Sequence, residues 1–240
     1  MAPFKRCMRA KPGALAGWVG MAIPAACLFD LDGLLLDTEP LHARAWQAAA
    51  EHFGCNLLPE QFLQLRGRRR SDCAAQVIHW IGDQGLPQPS REALLAVRQP
   101  IAEALLIHAK PTAGAMALIA RCEALAIPMA LATSSSKDAV ALKAEPHPWL
   151  KRISTRVHGD DPELTAGKPE PDVFLLAAAR LAVDPQDCWA FEDSPAGAQA
   201  ALAAGCQVYV VPPDHLNGQM RSDAYPGITL FLDSLEQIKF

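Results

Sequence analysis

Acidic, hydroxyl and lysine side chains follow the short apolar runs of this sequence. They comprise two aspartates one residue apart, a Thr-Ser pair, a lysine before a proline and a Glu-Asp pair: Asp30, Asp32, Thr133, Ser134, Lys168, Glu192 and Asp193. Side chains alternate across a strand, so the two aspartates of CLFDLDGLLLDTEP place like charges on the same side of the backbone. Fold stability does not require that arrangement, which therefore indicates chemistry.

These residue types suit phosphoryl transfer with the help of a metal ion. Three or four carboxylates in one place repel each other unless a cation is present, and hard oxygen ligands favour Mg²⁺ over zinc. A lysine and a hydroxyl beside them supply donors for a phosphoryl group, whose transfer is catalysed mainly by positioning and charge neutralisation. The residues therefore predict a magnesium site next to a phosphate-binding site.

Each motif by itself also has an ordinary structural explanation. A D-x-D pair is common in solvated turns, ATSSS is typical of a loop with a helix N-cap, and the acids of FEDS favour the start of a helix. Lys168 alone would be interpreted as a surface lysine. Together, each near the end of a predicted strand or in a loop beside one, they favour the functional interpretation.

The composition is that of an ordinary globular chain. Its 240 residues, 50% hydrophobic and 20% charged, fit one large domain or a domain with a smaller insert. The formal net charge of -4 gives no indication of a nucleic-acid or membrane-surface partner, so we expect a small-molecule substrate and a monomer. Cysteines without a C-x-x-C pair are typical of a reduced compartment, and we expect a cytoplasmic protein.

Residues 1–24 form a separate segment at the start of the chain. They carry basic residues and no acid. The apolar part after Pro12 is too weak for a secretory signal and too short to span a bilayer. We expect a disordered extension, or an upstream start with Met21 as the effective beginning of the domain; a cleaved organellar transit peptide is the alternative.

Short apolar runs alternate with longer amphipathic ones from Ala25 onward, which is the pattern of a parallel sheet flanked by helices. The predicted strands cover residues 26–31, 127–132, 152–158, 188–191 and 207–211. Helices are predicted over residues 114–125 and 173–181, and in SPAGAQAALAAG with Ser194 as N-cap and Gly205 as terminator. The carboxyl ends of parallel strands bind ligands, so we expect the candidate residues to share one rim.

Residues 41–109 interrupt this alternation. They have helical texture at 42–53, 59–65, 71–81 and 90–107, with no convincing strand. We therefore predict an all-helical domain inserted after the first strand. Residues 25–40 and 110–240 would form the core domain around the sheet.

Four stretches resemble the four successive motifs of the haloacid dehalogenase (HAD) superfamily, in its phosphatase and phosphomutase branch with a helical cap. They are FDLDGLLLDTEP, ALATSSS, GKPEPDVF and FEDSPAGAQAALAAG. The segment VHGDDPELTAGKPEPDVFLLAAARL is similar to the clade of pseudouridine-5'-phosphatases and glycerol-3-phosphate phosphatases. The resemblance implies an α/β fold with a Rossmann-like HAD core and a helical cap. It also implies Mg²⁺-dependent hydrolysis of a small phosphomonoester, such as a nucleoside, polyol or sugar phosphate.

The resemblance also implies a role for each motif residue. Asp30 is expected to be the nucleophile that forms an aspartyl-phosphate, and Asp32 to act as general acid and then as general base. Mg²⁺ is expected to bind the Asp30 carboxylate, the Asp32 backbone carbonyl and Asp193, with Glu192 acting through water. The expected phosphate ligands are Thr133, the Ser134 backbone N–H and Lys168.

Two residues of the predicted cap keep a β-phosphoglucomutase-like phosphomutase as an alternative. Arg70, in LRGRRRSD, aligns best with a mutase residue that contacts a second phosphate, and His42 resembles a cap-linker histidine of the same relatives. The ordinary explanation of the arginine run is a solvated basic face. Dehalogenation is disfavoured because dehalogenase relatives lack an acid at the position of Asp32. A non-enzymatic binding protein on the HAD fold is the remote alternative, and the retention of both aspartates argues against it.

The sequence departs from the family pattern at Pro146 and Pro148, where relatives tend to continue a helix. We expect an irregular segment before the third strand.

Overall fold

A six-stranded parallel sheet forms the centre of the computed structural model, which describes residues 23–240. The strand order is β3-β2-β1-β4-β5-β6. The strands are β1 Ala26–Phe29, β2 Met129–Ala132, β3 Thr155–Val157, β4 Cys188–Glu192, β5 Gln207–Val210 and β6 Leu230–Phe231. The predicted α/β fold and its five strands are confirmed. The predictions about residues 1–22 lie outside the described residues.

The short central strands are apolar because both faces of the sheet are covered. Every residue of β1 is buried, and alternate side chains enter different hydrophobic clusters. Cys27 and Phe29 pack on one face of the sheet, while Ala26 and Leu28 pack on the other. The two-residue strand β6 was not predicted, because so short a run carries no periodicity.

Five α-helices lie after residue 110, in the part of the chain that also contains β2 to β6. They are α5 Ala115–Ala124, α6 Lys137–Ala144, α7 Asp172–Arg180, α8 Pro195–Ala203 and α9 Gly218–Ala224. Helix α5 packs with the cluster that contains Phe29, whereas α7 and α8 pack with the cluster that contains Leu28. The predicted cap of α8 is present, because the Ser194 hydroxyl accepts a hydrogen bond from the Gly197 N–H at 3.0 Å.

Four helices lie between β1 and α5 in sequence. They are α1 Glu39–His52, α2 Pro59–Leu65, α3 Arg70–Asp83 and α4 Arg91–Leu106. These helices share a hydrophobic cluster of their own, which includes Trp46, Leu65, Val77 and Leu94. The helical character predicted for this segment is therefore observed, while its treatment as a separate domain stays a prediction.

The segment between α6 and β3 is irregular, as the prolines indicated. Helix α6 ends at Ala144, and Pro148–Arg152 forms a short 3₁₀ helix before β3. A helix interior tolerates proline poorly because proline lacks the N–H that donates back along the helix. No helix among residues 23–240 is long and apolar enough to cross a membrane.

Candidate active site

The acidic residues meet at the carboxyl ends of the two central strands, β1 and β4. Phe29 pairs with Phe191 in the parallel register, and the Asp30 N–H donates to the Phe191 carbonyl at 3.1 Å. Asp30, Glu192 and Asp193 are all buried, and each offers a carboxylate oxygen within 4.8 Å of the others. The predicted convergence of these carboxylates at one rim is therefore what the structure shows.

Lys168 bridges two of these carboxylates from the loop between β3 and α7. Its Nζ lies 2.5 Å from Asp30 Oδ1 and 2.5 Å from Glu192 Oε1, and its side chain is fully buried. Burial raises the pKa of Asp30 to about 7, with Lys168 opposing the shift and Glu192 adding to it. Burial alone would lower the pKa of Lys168, but the two carboxylates hold it above its ordinary value, so the lysine stays charged.

Glu192 is saturated with hydrogen bonds. Its Oε1 accepts from Lys168, while its Oε2 accepts from the Ser194 hydroxyl at 3.0 Å and from the N–H groups of Asp193 and Ser194 at 3.2 and 3.3 Å. These contacts fix the carboxylate rigidly at the start of α8. Glu192 is therefore suited to hold Lys168 and to meet a metal ion indirectly.

Asp193 has the free oxygens that a metal ion needs. Its carboxylate is 1% exposed, and neither oxygen accepts a hydrogen bond from any residue in the range 23–240. Arg66 Nη2 lies 2.9 Å from Oδ2 and forms an ion pair without hydrogen-bond geometry. Burial raises the pKa of Asp193 well above its ordinary value, Arg66 opposes the shift and nearby carboxylates add to it.

The loop after β1 is shaped to approach Asp193. Gly33 has a φ of +86°, and a Cβ built there would lie 2.2 Å from Asp193 Oδ2. Glycine is the residue that adopts this left-handed conformation without strain and leaves room for the carboxylate. The donor set of buried carboxylate oxygens, two of them without hydrogen bonds, fits Mg²⁺.

Asp32 lies beside this acidic cluster but belongs to a different network. Its carboxylate accepts hydrogen bonds from Thr38 Oγ1 at 2.8 Å and from Ser135 Oγ at 2.7 Å. Lys143 Nζ lies 2.6 Å from Asp32 Oδ1 and 2.5 Å from Oδ2. Burial would raise the pKa of Asp32, but the Lys143 ammonium and His42 reverse that effect and hold the pKa well below its ordinary value.

The tautomer of His42 follows from its two neighbours. Arg98 Nη2 lies 2.7 Å from His42 Nδ1, and a guanidinium can only donate, so Nδ1 is the acceptor. The other ring nitrogen, Nε2, then carries the proton and points to Asp32 Oδ1 at 3.3 Å. Arg98 is itself buried against the Trp46 ring, which ties α1 and α4 to the aspartate.

The hydroxyl residues after β2 complete the rim. Thr133 is buried, and its Oγ1 accepts from the Ser135 N–H at 3.1 Å. The Ser134 hydroxyl donates instead to the Gly67 carbonyl at 2.7 Å, which joins this loop to the helical segment. Of the predicted pair, only Thr133 keeps its side chain at the rim, and the role predicted for Ser134 rests on its backbone N–H.

A cavity of about 1600 Å³ opens between the rim and the helical segment. Its lining includes Asp30, Asp32 and Thr133 from the core and Arg70 and His42 from the helices. The Arg70 side chain is exposed and donates to Gln99 Oε1 at 3.0 Å. The structure thus brings all the predicted residues to one cavity or to the buried layer directly beneath it.

Several residues of the site were not predicted from the sequence: Thr38, Arg66, Arg69, Arg98 and Lys143. Arg69 donates to the Ala166 carbonyl at 2.8 Å, next to the loop that carries Lys168. A signal for Lys143 existed, because Lys143 follows Val140 at a helical spacing of three and so shares the buried face of α6. Nothing in the composition distinguishes Arg66 or Arg98 from surface arginines.

Comparison with known proteins identifies the family. A model of haloacid dehalogenase-like hydrolases matches residues 24–205. A probable pseudouridine-5'-phosphatase of Drosophila melanogaster is 38% identical over 217 residues, which cover 89% of this chain and 90% of that protein. The (DL)-glycerol-3-phosphatase 2 of Arabidopsis thaliana is 33% identical over 211 residues, covering 86% and 87%. Among solved structures, CbbY from Rhodobacter sphaeroides in complex with phosphate superposes with a TM-score of 0.73 at 26% identity, covering 89% of this chain and 96% of that one.

The chain belongs to the haloacid dehalogenase-like hydrolases. The family predicted from the four motifs, the Rossmann-like fold and the assignment as an enzyme of the phosphatase type are confirmed.

Proposed function

We propose that this protein is a Mg²⁺-dependent phosphomonoester hydrolase that acts through an aspartyl-phosphate on Asp30. The observation that carries the proposal is the buried bridge of Lys168 between Asp30 and Glu192, beside an Asp193 carboxylate without hydrogen bonds. This arrangement keeps a carboxylate nucleophile and a positive charge together at the base of a cavity. Those are the two requirements for attack on an anionic phosphorus centre.

The first half-reaction transfers the phosphoryl group to Asp30. An Asp30 carboxylate oxygen attacks phosphorus as the bond from phosphorus to the alcohol oxygen breaks. Asp32 gives a proton to the departing alcohol oxygen, so that the products are the free alcohol and the aspartyl-phosphate. Because Lys143 and His42 hold the pKa of Asp32 low, Asp32 must take up that proton from solvent before this step. Lys168 and the Thr133 hydroxyl would hold phosphate oxygens during this step.

The second half-reaction returns the enzyme to its starting state. A water molecule attacks phosphorus, and the bond from phosphorus to the Asp30 oxygen breaks. Asp32, now a carboxylate, takes a proton from that water, and inorganic phosphate leaves. One aspartate thus serves as acid and then as base, while the other forms the covalent bond.

The Asp30 carboxylate, the Asp32 backbone carbonyl and Asp193 would hold Mg²⁺, with Glu192 reached through water. When bound, the ion supplies positive charge that offsets the charge of the phosphoryl group. Arg66, whose Nη2 lies 2.9 Å from Asp193 Oδ2, adjoins these ligands.

The helical segment 41–109 would act as a cap domain that closes over the rim and excludes water. Its side chains, among them His42 and Arg70, line the same cavity as Asp30 and Asp32, so they would select the organic part of the substrate. The names of the relatives favour a nucleoside, polyol or sugar phosphate. A cytoplasmic monomer remains our expectation.

The decisive experiment assays a panel of phosphomonoesters with Mg²⁺ and with excess chelator, and compares wild type with Asp30→Asn and Asp223→Asn. Asp223 is exposed on α9 and serves as the matched control. We expect phosphate release that needs Mg²⁺, survives in Asp223→Asn and falls by several orders of magnitude in Asp30→Asn.

Two results would contradict the proposal. Retention of more than about a tenth of wild-type kcat in Asp30→Asn would exclude covalent catalysis by that residue, because loss of a nucleophile costs far more. Conversion of a hexose 1-phosphate to its 6-phosphate faster than phosphate release would replace the hydrolase with the mutase.

A further inference from the structure

Lys143 is a buried cation that the proposed chemistry does not use. It lies in the last turn of α6 with its side chain fully buried, and its Nζ contacts both carboxylate oxygens of Asp32. Lysine is almost never fully buried unless it is paired. A buried ion pair contributes little net stability compared with well-packed apolar side chains, so packing does not explain a lysine at this position.

The two buried lysines of the site have separate partners. Lys168 binds Asp30 and Glu192, whereas Lys143 binds Asp32 and the Ser135 hydroxyl, the latter at 2.8 Å. Each of the two aspartates that the reaction needs therefore has a lysine of its own. Lys143 therefore does not duplicate the contacts of Lys168.

The contacts around Asp32 fix the plane of its carboxylate. Thr38 donates to Oδ1, Ser135 donates to Oδ2, and Lys143 lies within hydrogen-bond distance of both oxygens. These three partners come from the start of α1, the loop after β2 and the end of α6. A carboxylate clamped from three elements cannot rotate away from the reacting oxygen, and misplacement by about 1 Å can cost about 100-fold in rate.

We propose that Lys143 is a positioning residue that holds the Asp32 carboxylate in the orientation for proton transfer to and from the reacting oxygens. The inference rests on the proposed function, in which Asp32 is that proton carrier. Lys143 acts through Asp32 and not on the phosphate.

The test compares Lys143→Met with Lys137→Met. Methionine keeps the length and apolar stem of lysine without its charge, and Lys137 is an exposed lysine on the same helix. The two substrates are 4-nitrophenyl phosphate, whose leaving group departs without a proton, and glycerol 3-phosphate, whose leaving group needs one. If glycerol 3-phosphate is a poor substrate, the best alkyl phosphate of the panel takes its place.

We expect a loss that depends on the leaving group. In Lys143→Met, kcat/KM for the alkyl phosphate should fall by at least about 100-fold, the low end of a general acid's contribution, while kcat/KM for the aryl phosphate changes by less than about fivefold. Hydrolysis of the aspartyl-phosphate still needs Asp32 as base. The aryl substrate should therefore give a burst of about one nitrophenol per enzyme followed by slow turnover. Lys137→Met should match wild type in every measurement.

Equal losses in kcat/KM for both substrates would overturn the proposal and assign Lys143 to phosphate binding. Wild-type values of kcat/KM for both substrates in Lys143→Met would overturn the proposal as well. If Lys143→Met does not fold, as judged by its thermal unfolding, Ser135→Ala decides. That variant removes one donor to Asp32 and the hydroxyl partner of Lys143. A smaller loss in kcat/KM that is confined to the alkyl phosphate would support the positioning role. An equal loss for both substrates, or no loss, would reject it.

The failure of this inference is distinguishable from the failure of the proposed function. If wild type forms no phosphoenzyme with either substrate, the covalent mechanism fails. If wild type forms one and Lys143→Met shows no dependence on the leaving group, the mechanism stands and only the role of Lys143 fails.

Discussion

Replacement of Lys168 by methionine would test the arrangement at the base of the site most directly. Lys168→Met removes the cation that, among residues 23–240, touches both Asp30 and Glu192, and it leaves two carboxylates buried side by side. With Lys168 present, burial already raises the pKa of Asp30 to about 7, and the lysine opposes a further rise. Without the lysine the pKa of Asp30 must rise further.

The size of the effect on rate follows from that shift. Each unit by which the pKa of Asp30 rises above the assay pH lowers the ionised fraction about tenfold, and a rise of two units leaves only about 1% as nucleophile. The phosphate also loses a charged donor. We therefore expect kcat/KM at pH 7 to fall by at least about 100-fold and to recover partly as the pH is raised.

The same change should lower stability. Removing one partner of a buried ion pair costs about 3–5 kcal/mol, and protonation of Asp30 offsets part of that, since one pKa unit is worth about 1.4 kcal/mol. A net loss of about 2–3 kcal/mol lowers Tm by roughly 5–10 °C in a chain of this size. Both quantities can be measured by steady-state kinetics across pH and by thermal unfolding.

Lys151→Met is the matched control, because Lys151 is exposed and has no part in the site. It should leave kcat/KM and Tm unchanged. If Lys168→Met kept kcat/KM within tenfold of wild type at pH 7 together with its Tm, the electrostatic account of the buried bridge would be refuted.

Three further predictions concern the metal, the helical segment and alkaline pH. Asp193→Asn should raise the Mg²⁺ concentration for half-maximal activity by at least about tenfold because it removes an anionic ligand, and an unchanged requirement would exclude Asp193 as a ligand. Arg70→Ala should raise KM for the best substrate without affecting 4-nitrophenyl phosphate; equal effects on both, or none, would assign Arg70 to the solvated face. Burial raises the pKa of Cys188 to about 11 and of Cys206 to about 12. The same thiols ionise near pH 9 in the unfolded chain, before they ionise in the folded protein. The free energy of unfolding should therefore fall as the pH rises from 9 to 11. Thermal unfolding measures that fall, which should be shallower when both cysteines are replaced by alanine; a slope unchanged by that replacement would exclude the thiols as its cause.

The strands and the main helices could be predicted because local patterns determine them. Strands buried on both faces appear as short apolar runs. Ser194 and Pro195 mark the start of α8, and Gly205 marks its end. The convergence of Asp30 with Asp193 could also be predicted from the sequence, because the carboxyl ends of parallel strands lie at the same edge of a sheet. Because β1 and β4 are neighbours in the sheet, side chains that follow these two strands lie close together.

The contacts made by Lys143, Arg66 and Arg98 could not be predicted in the same way. Lys143 reaches Asp32 across 111 positions of sequence, and Arg98 reaches His42 across 56. Such pairings depend on how α6 packs against the loop after β1 and how α4 packs against α1, which no local pattern specifies. A lysine or arginine side chain on an amphipathic helix has the same sequence context whether it ends in solvent or in a buried ion pair.

Polar contacts join the helical segment to the loops of the rim, where Leu41 and Leu63 also pack against the core clusters. Gly67 accepts from the Ser134 hydroxyl, Arg69 donates to the Ala166 carbonyl, and Arg66 pairs with Asp193. Hydrogen bonds of this kind contribute about 1 kcal/mol each, whereas the hydrophobic cluster within the helices would cost far more to separate. These polar contacts lie directly beside the loops that carry Ser134, Lys168 and Asp193. Any separation of the helices from the rim must therefore break them, together with the packing of Leu41 and Leu63, before the site is uncovered.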